Sequence, residues 1–177
     1  MKKKMILSSF VMMFACMLTA IVSQAQDKPK PSPAKTATGK AGAANITISY
    51  SAPSAKGRKI FGELVPYDKV WRAGANEATI FETDKDIMVE GQKLPAGKYS
   101  LYALPGASEW SFIFNSETGQ WGIKRGGETS KDASKDVLTV KAKPAKSASM
   151  TETMAYEVTP AGFVLRWENT EVPVAIK

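Results

Sequence analysis

Residues 98–114 read KYSLYALPGASEWSFIF. Tyr99, Leu101 and Ala103 alternate with their neighbours, Pro105-Gly106 interrupts the pattern, and Trp110, Phe112 and Phe114 resume it. Side chains leave a strand on opposite sides in turn, so apolar residues at every second position mark strands with one face buried. Proline followed by glycine supplies the turn between them. A strand, a turn and a strand within 17 residues set an antiparallel, all-β expectation for the rest of the chain.

The same pattern extends in both directions. Ile46, Ile48 and Tyr50 alternate with polar residues; 78–83 and 87–90 are short β-rich runs. Towards the C-terminus, Val137 to Lys141, then Met154, Tyr156 and Val158, then Phe163, Leu165 and Trp167, and finally Val172, Val174 and Ile176 repeat it. Turn signals at Glu90-Gly91, Pro95-Ala96-Gly97, 115–119 and Pro160-Ala161-Gly162 separate these runs at the spacing found in sandwiches and barrels. No stripe of helical period continues beyond about two turns. A short helical turn is allowed over 63–71, where Pro66 limits it, and 126–136 reads as an exposed loop. The expected fold is a single antiparallel β-sandwich or jelly-roll-like domain with one long irregular loop.

The N-terminus sets the expected organisation. Met1-Lys2-Lys3-Lys4 precedes an apolar run that ends at Ser23-Gln24-Ala25. A basic start, a short apolar middle and small residues at a cleavage position describe a signal peptide over 1–25. A spanning helix needs about 20 apolar residues, which this run meets only marginally. Cys16 offers the alternative of a lipoprotein cysteine, but Phe14 and Ala15 fit that site poorly. Residues 26–44 lack aromatic and large aliphatic side chains and read as a flexible tether, since such a segment has little apolar surface to offset its ordering entropy. The domain is then 45–177, and the expected location is the periplasm or the exterior of the cell, with no membrane span after cleavage.

Composition narrows the chemistry. The chain has no histidine, and its one cysteine is Cys16. Imidazole-based catalysis, imidazole metal sites and, after cleavage, thiolate chemistry are therefore absent from the repertoire. No cofactor and no metal site is expected. The formal charge of +7 is misleading. Seven lysines against Asp27 alone lie in the first 44 residues, and the remainder is nearly neutral. Nucleic-acid binders carry a basic face on the folded domain, so no nucleic-acid partner is expected.

One segment departs from the strand pattern: KGRKIFGELVPYDKVWRAGANEAT, residues 56–79. Cations and aromatics are concentrated here, and the candidate ligand-binding residues are Arg58, Tyr67, Trp71, Arg72, Asn76 and Glu77. Guanidinium forks beside flat apolar rings suit carboxylate, phosphate or sugar ligands, and long irregular segments on a β scaffold commonly carry binding. The same residues could serve packing alone, with Arg72–Glu77 or Arg58–Glu63 as buried ion pairs and Trp71 over a sheet end.

The run from Ser49 to Thr79, followed by LPAGKYSLYALPG, EWSFIFN and QWG, resembles a family of exported bacterial proteins known as domain of unknown function 2911. The resemblance covers roughly 45 to the C-terminus. The family's shared words fall here on Lys56-Gly57-Arg58, Val65-Pro66-Tyr67, Val70-Trp71-Arg72 and residues 74–79. It implies export and a place to look, and no activity. Residues 124–135 are longer and richer in glycine than the family's link after QWG, so no role is carried over to that loop.

Other signals are weaker. Asn76-Glu77 matches the acid/base dipeptide of barrel glycosidases, which would need a second carboxylate such as Glu82 or Asp84 about 5–9 Å away. Asp84, Asp86 and Glu90 alternate near a turn without calcium-loop spacing. Trp110 and Trp121 could stack on sugars, though the alternation around Trp110 favours the core. Lys141, Lys143 and Lys146 around Pro144 suit a protected edge strand. The expected function is a non-enzymatic binding module for a small polar or glycan ligand or an envelope partner. The alternatives are a carboxylate hydrolase built on Glu77 with Arg72 or Arg58 stabilising charge, and a purely structural envelope protein.

Overall fold

The computed structural model describes residues 31–177. The signal peptide expected over 1–25 and the first part of the tether lie outside the described residues. Ten strands follow in order: β1 Ala34–Ala41, β2 Ala44–Ser51, β3 Ala75–Thr83, β4 Ile87–Val89, β5 Gln92–Leu94, β6 Gly97–Leu104, β7 Trp110–Asn115, β8 Asp136–Ala142, β9 Ala145–Thr159 and β10 Gly162–Ala175. One 3-10 turn among the described residues, Ala133–Lys135, precedes β8, and residues 63–71 form turns rather than the helical turn that the sequence allowed.

Six strands make one antiparallel sheet in the order β1-β2-β3-β6-β7-β8. Consecutive strands are neighbours except where the β4–β5 hairpin interrupts the meander between β3 and β6. The long β9–β10 hairpin packs across this sheet as a second layer. Phe163 of β10 meets Phe81 and Phe112 of the sheet at ring centroids of 5.8 and 5.6 Å. β4 joins the second layer, where Met88 and Lys177 exchange backbone hydrogen bonds of 2.7 and 2.9 Å. The antiparallel all-β expectation holds, and the layers stack as in a sandwich.

The alternation read from sequence is the core. Ile46, Ile48, Leu101, Phe112, Phe114, Leu165 and Trp167 are fully buried between the layers. Each removes apolar area worth about 1.5–3 kcal/mol from water. β7 is buried on both faces. Its outward Ile113 packs with Tyr102 and Ala78 in a second, smaller cluster. Residues 116–132 run beside that cluster, with Gln120 Nε2 donating to the Tyr102 hydroxyl at 2.8 Å. At the far turn Gly162 is required, because a β-carbon there would lie 1.9 Å from the Val174 carbonyl oxygen.

The flexible tether expected up to 44 is corrected. β1 pairs with β2 over eight residues in unbroken register, from Ala34↔Ser51 to Ala41↔Ala44. Backbone pairing needs no large side chains, and small ones let β1 lie close to β9. A β-carbon on Gly39 would come within 3.0 Å of Val158. The ordered domain therefore begins well before 45.

Candidate functional site

Residues 56–79 close one end of the two layers. Ile60, Phe61, Val65 and Ala73 are buried in the main core, so part of the segment is packing. Ile60 N donates to Glu168 Oε2 at 3.2 Å, which ties the turn to β10 at a bulge where Glu168 has φ +55°. Trp71 then pairs with Ala103 of β6 through two backbone bonds of 2.7 and 2.8 Å, and Thr79 N donates to the Arg72 carbonyl at 3.3 Å. These bonds fix the Trp71-Arg72 backbone beside β6 and β3.

A cleft of about 1040 Å³ opens there. The turns before Trp71 form one wall, and Ile123 with residues 126–129 forms another. Trp71 and Trp167 lie at its base, stacked with centroids 6.0 Å apart and planes inclined by 21°. Phe61 and Trp110 pack edge-on against the pair. Lys56, Arg58, Lys69 and Arg72 line the cleft against Asp68 and Glu128, an excess of positive charge.

Arg72 is half-buried, and its Nε, sealed from solvent, has no hydrogen-bond partner among the described residues. Burial pulls its guanidinium below the ordinary arginine value, and the charge of Glu77 pulls it back up. Trp71 Nε1 donates to the Gly74 carbonyl at 2.9 Å. Trp167 Nε1, in contrast, is buried without an acceptor among the described residues. Arg58 is exposed but fixed, with Nε on the Ala55 carbonyl at 2.9 Å and a terminal nitrogen on the Ser54 carbonyl at 2.8 Å. It offers a positioned charge with two of its five N–H donors engaged.

Of the six residues singled out from sequence, Arg58, Trp71 and Arg72 meet in the cleft. Tyr67 is 41% exposed and rests over Gly62 outside it. Asn76 is a support: at φ +57°, a conformation asparagine tolerates, it donates from Nδ2 to the Ser32 carbonyl at 3.1 Å. Glu77 is exposed and accepts a long 3.4 Å bond from Ser51. Arg58 and Glu63 do not pair; Glu63 pairs with Lys59 at 3.5 Å. Glu77 and Glu82 lie five residues apart on β3, which places them on opposite faces about 16 Å apart, too far for a glycosidase pair.

The remaining acids each stabilise a turn. Asp84 accepts from Asn45 N and Nδ2, Asp86 pairs with Lys93 at 2.8 Å, and Glu90 accepts from Ala175 N. No group of three potential metal ligands gathers among the described residues. Trp110 is in the core and Trp121 is half exposed. β8 is one of the sheet's two edge strands, where Lys141 pairs with Glu109 at 3.1 Å. The residue missed from sequence is Trp167. Its alternation with Phe163 and Leu165 reads as core, which it also is, and only the fold reveals that its ring reaches the cleft.

No described helix is long and apolar enough to cross a membrane. No curated protein and no solved structure matches the chain. One family does, over residues 32–176, which take in every strand and the whole cleft lining from Ser32 onward. The chain belongs to the family described as protein of unknown function DUF2911.

Proposed function

We propose that this domain is a binding module that takes a small polar ligand in the cleft above Trp71 and Trp167, and that the chain is exported to the periplasm or beyond by cleavage after Ala25. The observation that carries the binding reading is the cleft itself, where the stacked indoles of Trp71 and Trp167 meet an excess of lining cations. The excess of lining cations adds an attraction for negative charge. Cations and aromatic faces suit holding a ligand, and Glu77, the acid on which a hydrolase reading depended, lies outside the cleft lining.

The test is thermal unfolding of the purified protein with a panel of anionic metabolites and glycans. A saturating ligand raises the melting temperature by several degrees, since binding at 100 times Kd adds about 2.7 kcal/mol. No shift across the panel refutes the reading.

A further inference from the structure

We infer that the ligand of this cleft is an organic molecule bearing an oxyanion, a carboxylate or a phosphate, and that Arg58 is the residue that takes it. This rests on the binding reading above and names the ligand's charged group. The chain has four arginines. Arg166, which does not line the cleft, donates to both Glu157 and Glu171 and is neutralised by them. The other three belong to the cleft. Arg58 and Arg72 line it, and Arg125 stands at the exposed tip of the 122–130 hairpin, just before the lining Gly126. None of these three makes an ion pair among the described residues. An arginine kept without a carboxylate is a charge left for something else to answer.

Arg58 is the one built to make the contact. It is exposed, whereas the stem of Arg72 lies against Gly122 and its Nε is sealed. Nε and Nη2 of Arg58 share one edge of the guanidinium, and that edge is spent on the Ala55 and Ser54 carbonyls. The opposite edge, where one N–H of Nη1 runs parallel to one of Nη2, has no partner among the described residues. That spacing matches two oxygens of a carboxylate or phosphate. The carbonyls are themselves fixed to β9: Ala55 N donates to the Glu152 carbonyl at 2.8 Å, and Ser54 Oγ and Thr153 Oγ1 are hydrogen-bonded at 3.0 Å. The guanidinium is therefore oriented before any ligand arrives, and little rotamer freedom is lost on binding. Four lining cations against two lining acids leave the cleft positive around it. A volume of about 1040 Å³ far exceeds one bare anion, so the oxyanion is one group of a larger organic ligand, the rest of which meets the apolar lining at Leu64 and Trp71.

The guanidinium N–H resonances of the four arginines, assigned by single Arg→Lys substitutions, report the site directly in an NMR titration of the purified protein. The probes are acetate and inorganic phosphate, the smallest members of the two oxyanion classes, against chloride at matched ionic strength. The Arg58 resonance is expected to move saturably with acetate or phosphate and not with chloride, while that of Arg166 stays. The stronger probe identifies the acidic group. Calorimetry then uses the compound of the thermal panel that raises the melting temperature most. Arg58→Gln should weaken it about tenfold or more, the worth of one charge-assisted contact. Arg58→Lys, which keeps the charge and loses the fork, should recover only part of that, and it carries the comparison if Arg58→Gln does not fold. An Arg58 resonance that follows chloride as closely as the oxyanions overturns the inference. So does a panel compound that is neutral, or that binds Arg58→Gln and Arg58→Lys as tightly as the parent; the cleft then remains a binding site. Acetate or phosphate at Arg58 with such a compound indifferent to it would mean an adventitious ion only, and the inference falls. A panel without any response overturns the binding reading and this inference together.

Discussion

The backbone of Gly122 lies directly against the side chain of Arg72: a β-carbon at 122 would come 2.6 Å from Arg72 Cδ and 3.1 Å from the Ala78 nitrogen. Gly122 also has φ +91°, so the site excludes a side chain both sterically and conformationally. The glycine allows the chain to pass against the aliphatic stem of Arg72, and the loop that follows is held by Ser130 N on the Gly122 carbonyl at 3.1 Å and Lys124 N on the Glu128 carbonyl at 2.7 Å. Gly122→Ala should therefore cost about 2–3 kcal/mol and displace Arg72, weakening any ligand of the cleft. Gly126→Ala, where an added carbon meets nothing within 4 Å, should stay within about 0.5 kcal/mol of the parent. Equal melting temperatures for the two variants would show that the contact is not tight.

Arg72 separates a binding role from a packing role. If it is the buried half of a structural ion pair with Glu77, removing it should cost about 3–5 kcal/mol. If it is held for a ligand, Arg72→Met discards a half-buried cation with an unanswered Nε, and stability should stay within about 1 kcal/mol of the parent or rise. We expect the second result, with ligand response lost. Urea unfolding of the variant decides between them.

With no histidine, no side chain titrates at its ordinary value between about pH 5 and 8, so stability should be flat there. The edges differ. Asp84 is held below the ordinary carboxyl value chiefly by the Asn45 side-chain bond, and Asp86 chiefly by its bond with Lys93. A lowered folded pKa gives stability that is present above the unfolded value of 3.8 and is lost as pH falls through the folded one. Tyr156 is the opposite case. Fully buried and donating to the Ala73 carbonyl at 2.9 Å, it is pushed well above 10 by desolvation, then by Tyr50. Its stability contribution is complete below pH 10 and declines above it, by about 1.4 kcal/mol per pH unit. Tyr156→Phe should leave the acid limb unchanged and flatten the alkaline limb; an alkaline limb as steep as the parent's would assign that slope elsewhere.

Period-two alternation located nearly every strand of the core, because inward residues such as Phe112, Phe114 and Leu165 had to be apolar and outward ones did not. It was weakest where a residue serves two environments. Trp167 reads as core and is core, yet one edge of its ring borders the cleft; no local pattern distinguishes the two. Half of the candidate site was legible because a cation next to an indole, as in Trp71-Arg72, is uncommon inside a strand-built domain. Asn76 and Glu77 shared that composition, but Asn76 supports the backbone at the start of β3 and Glu77 lies outside the cleft lining. Their neighbours in space, Ser32 and Ser51, are too far away in sequence to announce it.

The largest departure from the sequence reading concerns β1, and it gives a decisive truncation. Composition argued that residues up to 44 could not order themselves, since they bury little apolar surface of their own. The structure supplies that surface from elsewhere. Ala41 is fully buried, Gly39 lies against Val158, and the Ala52 nitrogen reaches back to the Pro33 carbonyl at 2.8 Å. Removing β1 would expose the backbone edge of β2 and uncover Val158 and its neighbours on β9. A chain starting at 45 should be several kcal/mol less stable than one starting at 31 and tend to associate through the bared edge. Equal melting temperatures for the two, with both monomeric by light scattering, would show that β1 adds nothing and restore the tether.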